Sequence, residues 1–235
     1  MALMFISKDQ KKVFLGVPKT GTRTIDDILQ PIAFKINEHK NYPDTIQRAY
    51  DIVPNFQESN IETVYLFYRD PVKRFISAIN HIRDAKSTQF SIRYRPQWFP
   101  GVDLSSYNAP VPMEQVPPFP QHLFLRIPSD VNEACKSKLG SITPEQIFND
   151  SELMSKSTFL IKQSFWHQNI PSDKKIVLNF ANFETSARTV AAAFGSPSDI
   201  AITRLNEGNR MTTSLSPELE AAVKAHYSED YDLQP

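Results

Sequence analysis

Cysteine is nearly absent. Cys135 stands alone, which excludes an intrachain disulfide and a thiolate-rich metal site and fits a reducing compartment. Net charge is absent too: 26 basic side chains balance 26 acidic ones. A globally basic nucleic-acid binder and an acidic tail protein are thereby disfavoured, so no nucleic-acid partner is expected, although a local basic cleft is not excluded. No run approaches the ~20 apolar residues of a membrane span. The N-terminal Met-Ala-Leu-Met-Phe-Ile meets Ser7 and Lys8 too early, and lacks the basic start, for a secretion signal. The expectation is a soluble, cytoplasmic chain without stable membrane insertion. Glycine is scarce at six residues, whereas proline reaches 18, so the few glycines are worth locating.

What is present suits a packed globule. Hydrophobic residues make up 40% of the 235 and aromatics 11%, with 16 Phe, enough to fill the core of one domain spanning 1–235. Residues 12–17 read as a short buried strand, ended by Pro18. From Thr22 to Ile32 the apolar Ile25, Ile28, Leu29 and Ile32 fall on one helical face. A second helix is expected over 42–53. Thr63–Arg69 is β-branched and aromatic, which predicts a second buried strand. Asp70-Pro71 then starts a helix, as cap and first-turn residue, with an apolar stripe of Val72, Phe75, Ile76, Ile79 and Ile82. Residues 86–120 hold seven prolines and show no period, so they read as a long excursion. Thr143-Pro144-Glu145-Gln146 is a capping box. A third strand is expected at 175–180, a helix at 183–194 capped by Gly195, and a last helix from Ser216-Pro217. Strands alternating with helices predict an α/β fold: a parallel sheet flanked by helices, with ligands beyond the carboxyl ends of its strands.

Two strand ends carry unusual chemistry. After the first comes Val17-Pro18-Lys19-Thr20-Gly21-Thr22-Arg23-Thr24. A glycine-containing turn that opens a helix offers unpaired N–H groups and a positive dipole end to an anion. Lys19 adds a charge and the threonines add hydroxyls. Thr22-Arg23 stands where a Walker A loop needs Gly-Lys followed by Ser or Thr, so ordinary Mg-ATP binding is disfavoured. On the turn alone, a phosphate cradle and a plain strand-to-helix turn with exposed side chains both remain open.

The strand 63–69 ends in Arg69-Asp70-Pro71-Val72-Lys73-Arg74-Phe75-Ile76-Ser77. Arg74, Ser77 and His81 fall on the helical face opposite the apolar stripe. Arg69 could converge with Ser77 on one anion, the guanidinium taking two oxygens and the hydroxyl a third. Taken singly, Arg69 could equally pair with a carboxylate and Ser77 lie on the surface. Together, two anion sites on one sheet edge suit a nucleotide with phosphates at both ends of its ribose.

At these residues the sequence resembles the sulfotransferase superfamily that uses 3′-phosphoadenosine 5′-phosphosulfate (PAPS), in the style of its carbohydrate and membrane-associated branch and their bacterial or viral relatives. Residues 17–24 look like that family's 5′-phosphosulfate loop, and Tyr68-Arg-Asp-Pro-Val-Lys-Arg-Phe-Ile-Ser-Ala78 looks like its 3′-phosphate motif. Weaker similarity continues at Phe159–Trp166, Ile176–Phe183, Leu205-Asn206, Leu215–Glu218 and Tyr227–Tyr231. Ala181 departs from the family's frequent Glu, and Arg23 stands where Thr or Ser is usual.

The resemblance implies a P-loop-like sheet and sulfonyl transfer from PAPS to a hydroxyl or amine acceptor, a small molecule or a glycan. Lys19 would neutralise charge on the bridging oxygen, and the loop amides with Thr20, Gly21, Thr22, Arg23 and Thr24 would hold the 5′-phosphate. Arg69 and Ser77 would hold the 3′-phosphate, with Arg210 as a third side of its pocket. No metal is expected. The favoured base is His39, whose ordinary pKa of ~6.5 suits proton transfer at neutral pH, with Glu38 next and His122 after it. The aromatics and arginines of 86–120 would serve as an acceptor lid, or simply pack that stretch onto the body. Two other functions remain open: a P-loop-type small-molecule kinase, and a non-catalytic nucleotide or glycan binder on the same fold.

Overall fold

The computed structural model describes residues 3–37, 41–83, 142–197, 200–202 and 213–235. Glu38, His39, His122, Arg210 and the proline-rich stretch 86–120 lie outside the described residues. The chain divides into two compact units, Met1–Ile76 with Ser151–Pro235, and Ser77–Asp150.

The first unit is built on a five-stranded mixed sheet. Its strands are β1 (Leu3–Ser7), β2 (Lys12–Gly16), β3 (Ala33–Asn37), β4 (Thr63–Tyr68) and β5 (Lys175–Asn179), in the spatial order β3-β1-β2-β4-β5. β2, β4 and β5 run parallel, as expected for the three strands read from the sequence. The expectation of a wholly parallel sheet is corrected at the other side, where β1 is antiparallel to both β2 and β3. The physical cause is a short hairpin. Ser7 donates its hydroxyl to Asp9 Oδ1 at 2.5 Å, and Gln10 takes a positive φ of 59°, so the chain turns straight from β1 into β2.

The helices of this unit are α1 (Thr22–Leu29), α2 (Tyr42–Ile52), the first turns of α3 (Pro71–Arg83), α5 (Ser151–Lys156), α6 (Gln163–Trp166), α7 (Phe183–Ala193) and α8 (Pro217–His226). Their starts follow from side chains near the N-terminus. Asn41 accepts from the Asp44 N–H at α2, Asp70 from the Lys73 N–H at α3, and Ser216 from the Leu219 N–H at α8, with Pro in the first turn each time.

Strand alternation sends side chains to two cores. Met4, Ile6, Val13, Leu15, Val64 and Leu66 pack on one face with Ile46 and Ala49 of α2 and Trp166 of α6. Leu3, Phe5, Phe14 and Phe67 pack on the other with Ile25 and Leu29 of α1 and Phe183 and Val190 of α7. Burial on both faces is why these strands read as continuous apolar runs.

The second unit holds the rest of α3 and α4 (Pro144–Phe148). The capping box is present, with Thr143 and Gln146 exchanging hydrogen bonds. Arg83 donates Nε to the Ile142 carbonyl at 2.7 Å, and Ala78, Ile79, Ile82, Ile142 and Ile147 are buried. Among the described residues no helix is long and apolar enough to cross a membrane.

Candidate functional site: the carboxyl ends of β2, β4 and β5

Three parallel strands end side by side, and each is followed by a turn into a helix. β2 leads through residues 17–21 into α1, β4 through Arg69-Asp70 into α3, and β5 through a 3-10 turn, Phe180–Asn182, into α7. From β2 the chain leaves toward β3 on one side of the sheet, whereas β4 is neighboured by β5 on the other. The point between β2 and β4 is therefore where strand order reverses, the usual place for a ligand crevice in such sheets.

The loop after β2 is shaped by its carbonyls. The Val17 carbonyl accepts three bonds, from the Thr20 N–H and from the hydroxyls of Thr20 (2.7 Å) and Thr22 (2.8 Å). The Pro18 carbonyl accepts from Arg74 Nε at 3.1 Å, and the Lys19 carbonyl from Arg69 Nη1 at 2.7 Å. Three successive acceptors are thus occupied by the protein itself. To reach this conformation Lys19 and Gly21 both adopt positive φ, 69° and 81°. Gly21 then serves as N-cap of α1 without a side-chain cap bond. The first N–H groups of a helix have no acceptor within it, so the start of α1 offers donors while the carbonyls of residues 17–19 are withheld. That is the polarity an anion needs.

Space is equally constrained. A Cβ on Gly21 would lie 2.3 Å from the Phe183 ring and 3.0 Å from that of Phe180. The Arg69 guanidinium lies 4.7 Å from the centroid of the same Phe180 ring. Phe180, after β5, is thus in contact range of both the β2 loop and the β4 arginine. The Lys19 ammonium lies 6.0 Å from the Phe159 ring.

Two guanidiniums crowd the end of β4. Burial pulls the Arg69 pKa down to about 10, with Arg74 contributing and Asp70 opposing. Arg74 is 2% exposed, rather than on the polar face expected from helical spacing, and its Nη2 has no hydrogen-bond partner among the described residues. Burial lowers its pKa, opposed by Tyr227 and Asp230. An arginine nonetheless stays charged in a protein, so positive charge is concentrated behind the loop.

The sequence-derived candidates distribute as follows. Lys19, Thr20, Gly21 and Thr22 form the loop, and Arg69 is hydrogen-bonded to it. Thr20 and Thr22 spend their hydroxyl protons on Val17, so in this conformation their hydroxyls shape the loop and offer an anion no donor. Thr24 is buried and Arg23 exposed, both in the first turn of α1. Ser77 is half-buried on α3 and belongs to the second unit.

Sequence reading placed Gln163 and Asp230 in two segments of weak family similarity but gave neither a role in supporting Arg69. Gln163 accepts from the Arg69 N–H at 3.0 Å and donates to the Arg69 carbonyl at 2.8 Å. Asp230 accepts from the backbone N–H groups of Gln163 and Ser164, each at 2.9 Å. Both residues are fully buried. A buried Gln and Asp far apart in sequence carry no local signature. Among the described residues no cluster of three or more His, Cys, Asp or Glu could hold a metal ion. No protein-family model matches the chain, and no curated protein or solved structure matches it significantly.

Proposed function

We propose that the chain is a PAPS-dependent sulfotransferase on a P-loop-like domain. It would move a sulfonyl group to a hydroxyl or amine of a small-molecule or glycan acceptor. The observation that carries this reading is the loop 17–22, with its carbonyls at residues 17–19 occupied from within the protein, hydrogen-bonded to Arg69 of the neighbouring strand end. The fit to the nucleotide is chemical. The carbonyls of residues 17–19 are taken up by the protein, Gly21 leaves no room for a side chain, and the half-buried Arg69 and buried Arg74 supply charge that a polyanion would offset.

Transfer would form a sulfur–oxygen bond to a hydroxyl acceptor or a sulfur–nitrogen bond to an amine, pass the acceptor's proton to a base, break the sulfur bond to the bridging phosphate oxygen, and release 3′,5′-ADP. Lys19 would neutralise charge developing on that bridging oxygen, a contribution that grows toward the transition state. His39, with Glu38 next, remains the proposed base from sequence alone.

Calorimetry without metal tests the reading. Tighter binding of 3′,5′-ADP than of 5′-AMP or ATP is expected, because only the first carries phosphates at both ribose positions. Equal affinity for 3′,5′-ADP and 5′-AMP would remove the two-site argument. A preference for ATP that requires Mg²⁺ would favour a kinase instead.

A further inference from the structure

A second chain of contacts reaches the β2 loop from the C-terminal segment. The 3-10 turn Ser228–Leu233 contributes Asp230, whose two carboxylate oxygens take the N–H groups of Gln163 and Ser164 at the start of α6. Lys162 adds an ion pair to Glu229 at 2.8 Å. Gln163, held by its backbone, places its amide on both main-chain groups of Arg69. Arg69 in turn holds the Lys19 carbonyl through Nη1.

We infer that Gln163 is a positioning residue for the β2 loop. It acts through Arg69, with Asp230 as its anchor. This rests on the reading of residues 17–22 as an anion site, but only for its consequence in binding.

The physical case is one of paired groups. Arg69 follows the last residue of β4, so its N–H and carbonyl lie just past that strand's hydrogen-bonded end. Buried main-chain groups need partners, and a primary amide supplies one acceptor and one donor at once. Two bonds to one residue fix its φ, ψ and hence the direction of Cβ. A long side chain such as arginine converts a small rotation at Cα into a large displacement at the guanidinium. Without Gln163, the Arg69–Lys19 bond would be kept by the side chain alone, against its own rotamer entropy. The Lys19 peptide, already in the left-handed region at φ 69°, would then be freer to turn its carbonyl outward, placing an acceptor where an anion would sit.

The test uses the full chain with three substitutions. Gln163→Met keeps length and removes both bonds. Gln163→Glu keeps an acceptor for the Arg69 N–H but offers nothing to its carbonyl. Arg69→Met removes the link to Lys19. Hydrogen exchange is followed at the Thr20, Thr24 and Ile25 amides, which bond to Val17 and Gly21, with the β2 and β4 amides as reference. Exchange at the loop amides should quicken roughly tenfold in Gln163→Met, the worth of about one hydrogen bond, and less in Gln163→Glu. The reference amides should stay unchanged. In parallel, 3′,5′-ADP affinity should fall about tenfold in Gln163→Met, while the double variant with Arg69→Met should bind no more weakly than Arg69→Met alone.

Unchanged loop exchange in a folded Gln163→Met would overturn the inference, and so would additive losses in the double variant. Should Gln163→Met fail to fold, Gln163→Glu decides by the same exchange measurement. If the wild-type chain does not bind 3′,5′-ADP, the sulfotransferase reading fails while the exchange data still settle the role of Gln163.

Discussion

Gly21 and Gly195 share a backbone conformation, with φ of 81° and 86°, but not an environment. A Cβ at Gly21 meets an aromatic ring at 2.3 Å, whereas one at Gly195 meets nothing within 4 Å. Gly195→Ala should therefore cost only the left-handed backbone, roughly 1 kcal/mol. Gly21→Ala should cost that plus about 1–3 kcal/mol of overpacking against Phe183. Denaturant melts of the two variants give the difference, and equal losses would mean the ring yields freely. Arg69 is the other residue whose position sets expectation. It is tied to the loop as well as to the proposed 3′-phosphate. Arg69→Ala should weaken 3′,5′-ADP by about 1.5–3 kcal/mol. 5′-AMP should lose a smaller part, through the lost Lys19 contact. Calorimetry with both ligands separates the roles: equal losses would leave Arg69 as loop support only.

At the level of elements, helix starts and the parallel sense of β2, β4 and β5 were legible, and the pairings of β1 were not. Asn41, Asp70, Thr143 and Ser216 each cap a helix with Pro close behind, a local chemistry written in four consecutive residues. β1 is an apolar run, Leu3–Ile6, closed by the polar Ser7, and every residue in it is buried, yet it is not among the strands expected from the sequence. Its antiparallel pairing could not be read, since Ser7–Gln10 contains none of the glycine dipeptides that mark a tight hairpin. β3 follows α1 so closely that Ile32 reads as one more helical position. The helix in fact ends at Leu29. The C-terminal segment is fastened by long-range bonds of the same illegible kind. Tyr227 donates its hydroxyl to the buried Leu160 carbonyl at 2.6 Å, and burial raises its pKa. Tyr227→Phe leaves that carbonyl unpaired and should cost about 1–3 kcal/mol of stability. A melt indistinguishable from wild type would show that the carbonyl finds another donor.

For the molecule as a whole, acid is the expected weakness. His167 follows α6, is 5% exposed, and neither ring nitrogen has a hydrogen-bond partner among the described residues. Burial pushes its pKa from 6.5 down to about 3, with Lys175 and Arg74 adding to the effect. The folded state thus keeps the ring neutral while the unfolded chain binds a proton below pH 6.5. Stability from this group is full above that value and is lost as pH falls toward 3. By pH 5 the loss should be about 2 kcal/mol relative to neutral pH. Urea melts at pH 7 and 5 measure it, and His167→Phe should flatten the difference. A wild-type stability that does not change over this range would mean that the ring has access to water.

The chain by itself determined whatever depends on near neighbours. It determined the apolar runs that must be buried, the caps that start helices, the positive-φ glycines, and the loop Val17–Thr24 whose composition suits an anion. Tertiary structure decided what depends on contacts across the sheet: the reversal of β1, the placing of Arg69 on the Lys19 carbonyl, and the burial of Arg74. It also decided the role of Gln163, 94 residues from its partner. The physical reason is that a hydrogen bond is specified by two groups at once, and local sequence names only one of them.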